Sequence, residues 1–152
     1  MCQEPEFLHG SGLRCSAGGF QRVHVKYLLD TNAWVGFFEG RDGFGRHARQ
    51  KMEEQPASCG ISLASVWEAA IKVGLGKLKL AYDLEKDLPR LVERNGFHFL
   101  GLELGDAAAV QALEQIHRDP FDRIQVCQAR RLGSTVLSSD PVFEKYGLKR
   151  IW

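Results

Sequence analysis

From Val25 onward, short apolar runs alternate with stretches of helical period. Val25-Lys26-Tyr27-Leu28-Leu29, Ser58-Cys59-Gly60-Ile61-Ser62, Phe97-His98-Phe99-Leu100 and Thr135-Val136-Leu137-Ser138 are each short and rich in apolar or β-branched residues, the signature of buried strands. Between them the spacing changes. Asp30-Thr31-Asn32 supplies capping side chains for a helix over 33–38. A polar helix is predicted over 46–54, ending before Pro56. The next, over 62–73, has Val66, Ala69, Ala70 and Val73 on one face and stops at Gly74 and Gly76. Leu84, Leu88, Leu91 and Val92 mark another, closed by Asn95-Gly96. An Ala-rich helix is predicted over 106–116, and a last one runs from Asp119-Pro120 to Gly133. Arg150-Ile151-Trp152 adds an edge strand.

Strand and helix in alternation call for a parallel sheet covered on both faces. The expected fold is therefore α/β: a three-layer α/β/α, Rossmann-like domain with a central sheet of about four or five strands. Residues 25–152 form that domain. Residues 1–24, with Gly10, Gly12, Gly18 and Gly19 and no usable period, are expected to be a disordered extension.

Composition narrows the class. Charged residues are 26% of 152 and the net charge is +1, which excludes a histone-like binder but not a nuclease whose cations cluster. No apolar run approaches the roughly 20 residues of a membrane span. The start lacks the basic and apolar stretches of a signal peptide. Cys2, Cys15, Cys59 and Cys127 show no C-x-x-C spacing, so zinc and dithiol chemistry are disfavoured and a cytoplasmic protein with reduced thiols is expected.

Four acids carry the chemistry. Asp30 and Asp140 each follow a strand, Glu68 sits within the helix after the second strand, and Asp122 lies in a helix first turn. Each has a plain alternative as a cap, a dipole partner or a solvated residue. Together they occupy the edge where α/β folds bind ligands. Carboxylates gathered there repel unless a cation neutralises them, which points to a divalent-metal site. Asp119 caps the helix before Pro120. Arg118 and Arg123 flank the acidic pair as charge balance or phosphate holders, His117 is a candidate proton donor, and Ser138 and Ser139 are placed to orient a carboxylate or water. Trp34, Trp67, Phe37 and Phe38 read as core. No P-loop, G-x-G-x-x-G or Ser-His-Asp pattern is present.

Tyr27-Leu28-Leu29-Asp30-Thr31-Asn32, the block from Ile61 through Trp67-Glu68 to Lys72, His117-Arg118-Asp119-Pro120-Phe121-Asp122-Arg123 and Ser138-Ser139-Asp140 together resemble the PIN-domain family, most closely the VapC-type toxins of bacterial toxin–antitoxin pairs. The resemblance covers about residues 25–152, extending through the Leu-Gly-Lys-Leu order near Gly76 and the closing Tyr146-to-Trp152 segment. Asn32 stands where the family pattern often has His, and the front extension is a departure. The resemblance implies a PIN-like fold and a Mg²⁺- or Mn²⁺-dependent endoribonuclease with metal roles for Asp30, Glu68, Asp122 and Asp140. It also implies an RNA substrate, a cognate antitoxin and a homodimer, with Trp34, Phe37 and Phe38 as candidates for the apolar contact face. The alternatives are a PIN-type nuclease of RNA processing or DNA repair, a small-molecule phosphohydrolase, and a non-catalytic interaction module.

Overall fold

The computed structural model describes residues 24–152; the expected disordered extension lies, but for His24, outside them. Five strands form one parallel sheet: β1 (Tyr27–Leu29), β2 (Cys59–Ser62), β3 (His98–Leu100), β4 (Thr135–Leu137) and β5 (Arg150–Ile151), in the order β3-β2-β1-β4-β5. Leu28 is in register with Gly60 on one side and Val136 on the other. Side chains alternate across the sheet, so each strand feeds both faces. Tyr27, Leu29, Ile61 and Leu137 join one core with Trp34, Met52, Ala69, Leu88 and Val92. Leu28 and Val136 join the other with Val126, Ala129, Val142 and Phe143. The first core packs under α1 (Thr31–Phe38), α2 (Arg46–Glu54), α3 (Leu63–Gly74) and α4 (Leu88–Arg94). The second lies under α6 (Pro120–Leu132) and the short α7 (Val142–Lys145). Three layers result, as the alternating pattern requires.

The strand order explains where the site forms. The chain leaves β1 toward β2 and β3, then crosses back to β4 on the opposite side of β1. The order therefore reverses between β1 and β4, and a crevice opens beyond their carboxyl ends. Asp30 continues β1 there and donates its N–H to Leu137 O at 3.1 Å. Close strand approach is needed elsewhere: a Cβ on Gly60 would lie 2.5 Å from Leu100 Cδ1 and 2.9 Å from Val25 Cγ1.

Several local expectations are corrected. The Ala-rich helix, α5, spans only Leu104–Ala109 and gives way to a 3-10 turn at Val110–Ala112, not a helix to Ile116. Arg123 is the reason. Its guanidinium donates to the carbonyls of Val110, Leu113, Glu114 and His117, drawing them out of any helical ladder. Leu84 precedes α4 in a turn where Asp83 Oδ1 accepts from the N–H groups of Glu85 and Lys86. Trp67 is 61% exposed rather than core, while Trp34 is fully buried and so cannot offer a contact face. Cys59 and Cys127 are buried free thiols. Among the described residues no helix is long and apolar enough to cross a membrane.

Candidate active site

Asp30 is 3% exposed and its carboxylate is held on three sides. Oδ1 accepts from Thr31 N at 2.7 Å and Gln125 Nε2 at 3.3 Å, and Oδ2 accepts from Ser138 Oγ at 2.7 Å. Burial pushes its pKa up; the Ser138, Thr31 and Gln125 hydrogen bonds pull against that, and the nearby Glu68 charge adds to it. Three elements supply these contacts: β1 with the start of α1, the end of β4, and α6.

Glu68 comes from α3. Its buried carboxylate accepts from Thr31 Oγ1 at 2.5 Å and pairs with Lys72, one turn further along the helix. The α1–α3 junction that brings it here is fixed by Trp34 Nε1 donating to Ser65 Oγ at 3.0 Å, and by Ser65 Oγ donating to Ser62 O at 2.8 Å. A mid-helix Glu that would ordinarily face water is thus turned inward beside Asp30.

Asp122 enters from the first turn of α6, where Asp119 caps the helix by accepting from Phe121 N at 2.8 Å. Its Oδ2 lies 2.8 Å from His117 Nε2. Burial, followed by the charges of Asp30 and Asp119 and, more weakly, Glu68, pushes its pKa up to about 7, with His117 opposing. The charges of Asp30, Asp119 and Glu68 are therefore all felt at Asp122. One oxygen or nitrogen each from His117, Asp119 and Asp122 lie within 4.8 Å of one another, a spacing that a single cation can span. Gln125, on the same face of α6, is fully buried, and its Oε1 has no hydrogen-bond partner among the described residues.

Asp140 stands slightly apart. Its Oδ1 accepts from the N–H of Val142, the first residue of α7, at 2.8 Å, and its own N–H donates to Ser138 Oγ at 3.0 Å. Ser138 thereby links Asp140 to Asp30. Ser139 and Asn32 are exposed and line a hollow beside the acids, and Arg118 is exposed. Arg123 is a correction: being 6% exposed and committed to four carbonyls, it is unavailable to a phosphate. Its position three residues after a capped Pro could not reveal that, because its partners come from a segment whose fold it determines itself.

Three contributors escaped the sequence reading. Thr31 bridges to Glu68, Lys72 neutralises Glu68, and Gln125 supports Asp30. Two had a signal: Lys72 is four residues after Glu68, and Gln125 three after Asp122, so each shares a helix face with an acid. His117, Asp119 and Asp122 offer two hard carboxylate oxygens and one imidazole nitrogen at a spacing that fits a divalent cation, with the charges of Asp30 and Glu68 felt at Asp122.

A family model described as the PIN domain matches residues 27–149. Similar solved structures include DNA-bound VapBC from Salmonella typhimurium, at 17% identity and a TM-score of 0.63 over 83% of this chain and 96% of that one. FitAcB from Neisseria gonorrhoeae superposes with a TM-score of 0.61 at 16% identity, covering 83% and 96%. A toxin–antitoxin complex from Klebsiella pneumoniae reaches 25% identity at a TM-score of 0.54, covering 76% and 87%. No curated protein sequence matches the chain.

Proposed function

The chain belongs to the PIN-domain family, and from that premise we propose that it is a Mg²⁺- or Mn²⁺-dependent endoribonuclease acting as the toxin of a toxin–antitoxin pair. The observation that carries the catalytic reading is the convergence of Asp30, Glu68 and Asp122 from the end of β1, from α3 and from α6 on one crevice, where burial first and then the charges of Asp30, Asp119 and Glu68 hold the Asp122 carboxyl above its usual range. A folded chain gains no stability from such repulsion. It is understandable in a site whose charge a cation completes.

In this reading Asp30, Glu68 and Asp122 hold the metal, with Asp140 and Asp119 bounding the site. A divalent ion held by these carboxylates would offset their charge and supply Lewis-acid polarisation of a phosphoryl oxygen and of a water. The chain's own groups fix the donors. Ser138 Oγ and the Thr31 N–H orient the two oxygens of Asp30, and Thr31 Oγ1 with Lys72 orients Glu68. His117, 2.8 Å from Asp122, is positioned to hold a proton for the departing oxygen. Single-stranded RNA suits an open crevice of this kind, since its unpaired backbone can bend into it.

The toxin role draws support from the likeness to a chain of the Klebsiella pneumoniae toxin–antitoxin complex. An antitoxin, or a second copy in a homodimer, has an apolar face available on α3 and its C-cap, where Leu63, Trp67, Ile71 and Leu75 are exposed at four-residue intervals. The test is cleavage of a mixed RNA pool by purified protein with Mg²⁺ or Mn²⁺, with EDTA and Asp122→Asn as controls. Metal-dependent cutting lost in the variant is expected. Failure to cut in either metal, with the antitoxin and residues 1–22 removed, refutes the enzyme and favours an interaction module. Cutting without growth arrest on expression, and without a neighbouring antitoxin gene, favours an RNA-processing or repair nuclease.

A further inference from the structure

Beside the acids lies a cleft of about 220 Å³ lined by Thr31, Asn32, Arg41, Lys72, Lys77 and Leu78 among others, with no acid among its lining residues. The protein as a whole carries only +1, so three cations in one cleft do not follow from an excess of them. Two are delivered by the same device. The turn after α1 reaches Gly40 at φ +60°, and the next residue, Arg41, donates its N–H back to Gly36 O at 3.1 Å. The turn after α3 reaches Gly76 at φ +67°, and Lys77 donates back to Lys72 O at 2.8 Å. Glycine adopts this left-handed backbone without a Cβ penalty, and the turn folds the following residue against the helix it has just left.

A cation after a helix C-terminus offsets the carbonyl end of the dipole, and that alone accounts for either residue singly. It does not account for both turns opening on one cleft, next to Lys72 of the second helix. Arg41 and Lys77 make no ion pair among the described residues, whereas Lys72 pairs with Glu68. The cleft is continuous with the site through two of its own lining residues: Thr31, which bonds Glu68, and Lys72.

We propose that Arg41, Lys77 and Lys72 form a phosphate track that seats the backbone of the RNA strand flanking the bond to be cut. This rests on the nuclease reading above. Such a track resolves an electrostatic difficulty: a polyanion approaching an acidic centre is repelled unless neighbouring phosphates meet fixed positive charge. Arg41 and Lys77 are positioning residues, acting on backbone rather than bases, so they contribute affinity without sequence preference.

The test uses the full chain carrying Asp122→Asn, which prevents cutting, and a short fluorescein-labelled oligouridylate read by anisotropy across salt concentrations. Arg41→Ala and Lys77→Ala should each weaken binding about fivefold at about 0.1 M salt and reduce the log–log salt slope by about 0.7, the single-strand value per phosphate. Arg41→Lys and Lys77→Arg should restore both. Lys145→Ala, an equal charge change on α7, should leave both at the parent value. In the cutting-competent chain the alanine variants should raise KM and keep kcat. Their melting temperatures should stay at the parent value, because both side chains are exposed. An unchanged slope in the Arg41→Ala, Lys77→Ala double variant while the wild type still cuts RNA overturns the track alone. A wild type that neither binds nor cuts overturns the nuclease reading with it. Displacement of the RNA by oligoglutamate of equal charge, with the same dependence on Arg41 and Lys77, overturns the track in favour of an acidic-peptide dock.

Discussion

Replacing Asp122 with Asn should stabilise the metal-free protein in the same step that ends its activity. The carboxyl is pushed from 3.8 to about 7 by burial and by Asp30, Asp119 and Glu68. Between roughly pH 4 and pH 7 the unfolded chain has lost this proton while the native state retains it. The unfolded state then binds fewer protons, so stability falls as pH rises, and the whole contribution is lost once pH passes about 7. A shift of about 3 units at about 1.4 kcal/mol each bounds the effect near 4 kcal/mol above neutrality. The side chain is 15% exposed, which admits some screening, and an amide keeps only a neutral hydrogen bond to His117. About 1–3 kcal/mol should therefore be recovered, or about 3–10 °C in Tm for a chain of this size. Thermal melts in EDTA at pH 5, 6, 7 and 8 read it directly: the variant's advantage should be smallest at pH 5, where about a third of it is already present, and should grow until about pH 7. Added Mg²⁺ should then raise the wild-type Tm more than the variant's, because ligand binding stabilises only the state that binds it. A variant that melts at or below the wild type at pH 8, or a difference that does not change with pH, would show that Asp122 is not held against its neighbours' charge.

Other expectations rest on separate contacts. Asp30→Asn should abolish RNA cleavage with the circular dichroism spectrum preserved; full-rate cutting by the folded variant sinks the site assignment. Arg123→Ala should cost about 3 kcal/mol or more in urea denaturation, because the buried Leu113 carbonyl and the part-buried Val110 and Glu114 carbonyls lose their donor, and Arg123→Lys should rescue little, since a single ammonium cannot span them. A loss under about 1 kcal/mol would show that the segment stands without the clamp. Asp106→Asn should also destabilise by about 1–2 kcal/mol, since the fully buried carboxylate takes Arg131 at 2.6 Å while the partly exposed guanidinium keeps Glu103 at 2.9 Å; an unchanged urea midpoint would contradict that. Gly60→Ala should cost about 1–3 kcal/mol through its clash with Leu100 and Val25, and a neutral outcome would mean that β3 moves away freely.

Much of the layout was legible because it depends on local chemistry. Pro120 with Asp119 before it starts a helix wherever it stands, and Gly133, at φ +64°, ends one. The run Tyr27-Leu28-Leu29 is buried on both faces because a central parallel strand has no wet side. The failures lie where distant residues decide. Residues 110–117 carry good helix formers, yet a guanidinium from α6 takes their carbonyls. Trp67 has the composition of a core residue but faces outward, stacked edge-on against Phe121 at 5.2 Å, because α3 turns Glu68 inward and the neighbouring position must point elsewhere.

The sequence by itself determined the alternation of strands and helices, the caps and stops, and the presence of acids at strand and helix ends, since each depends on residues within a turn of one another. Only the tertiary structure decided which acids share an environment. It brought Asp30, Glu68 and Asp122 into mutual electrostatic reach, left Asp140 linked through Ser138, and withdrew Arg123 from the crevice. The reason is physical: burial and like-charge repulsion act through space, and strand order, which no local pattern encodes, sets the distances over which they act.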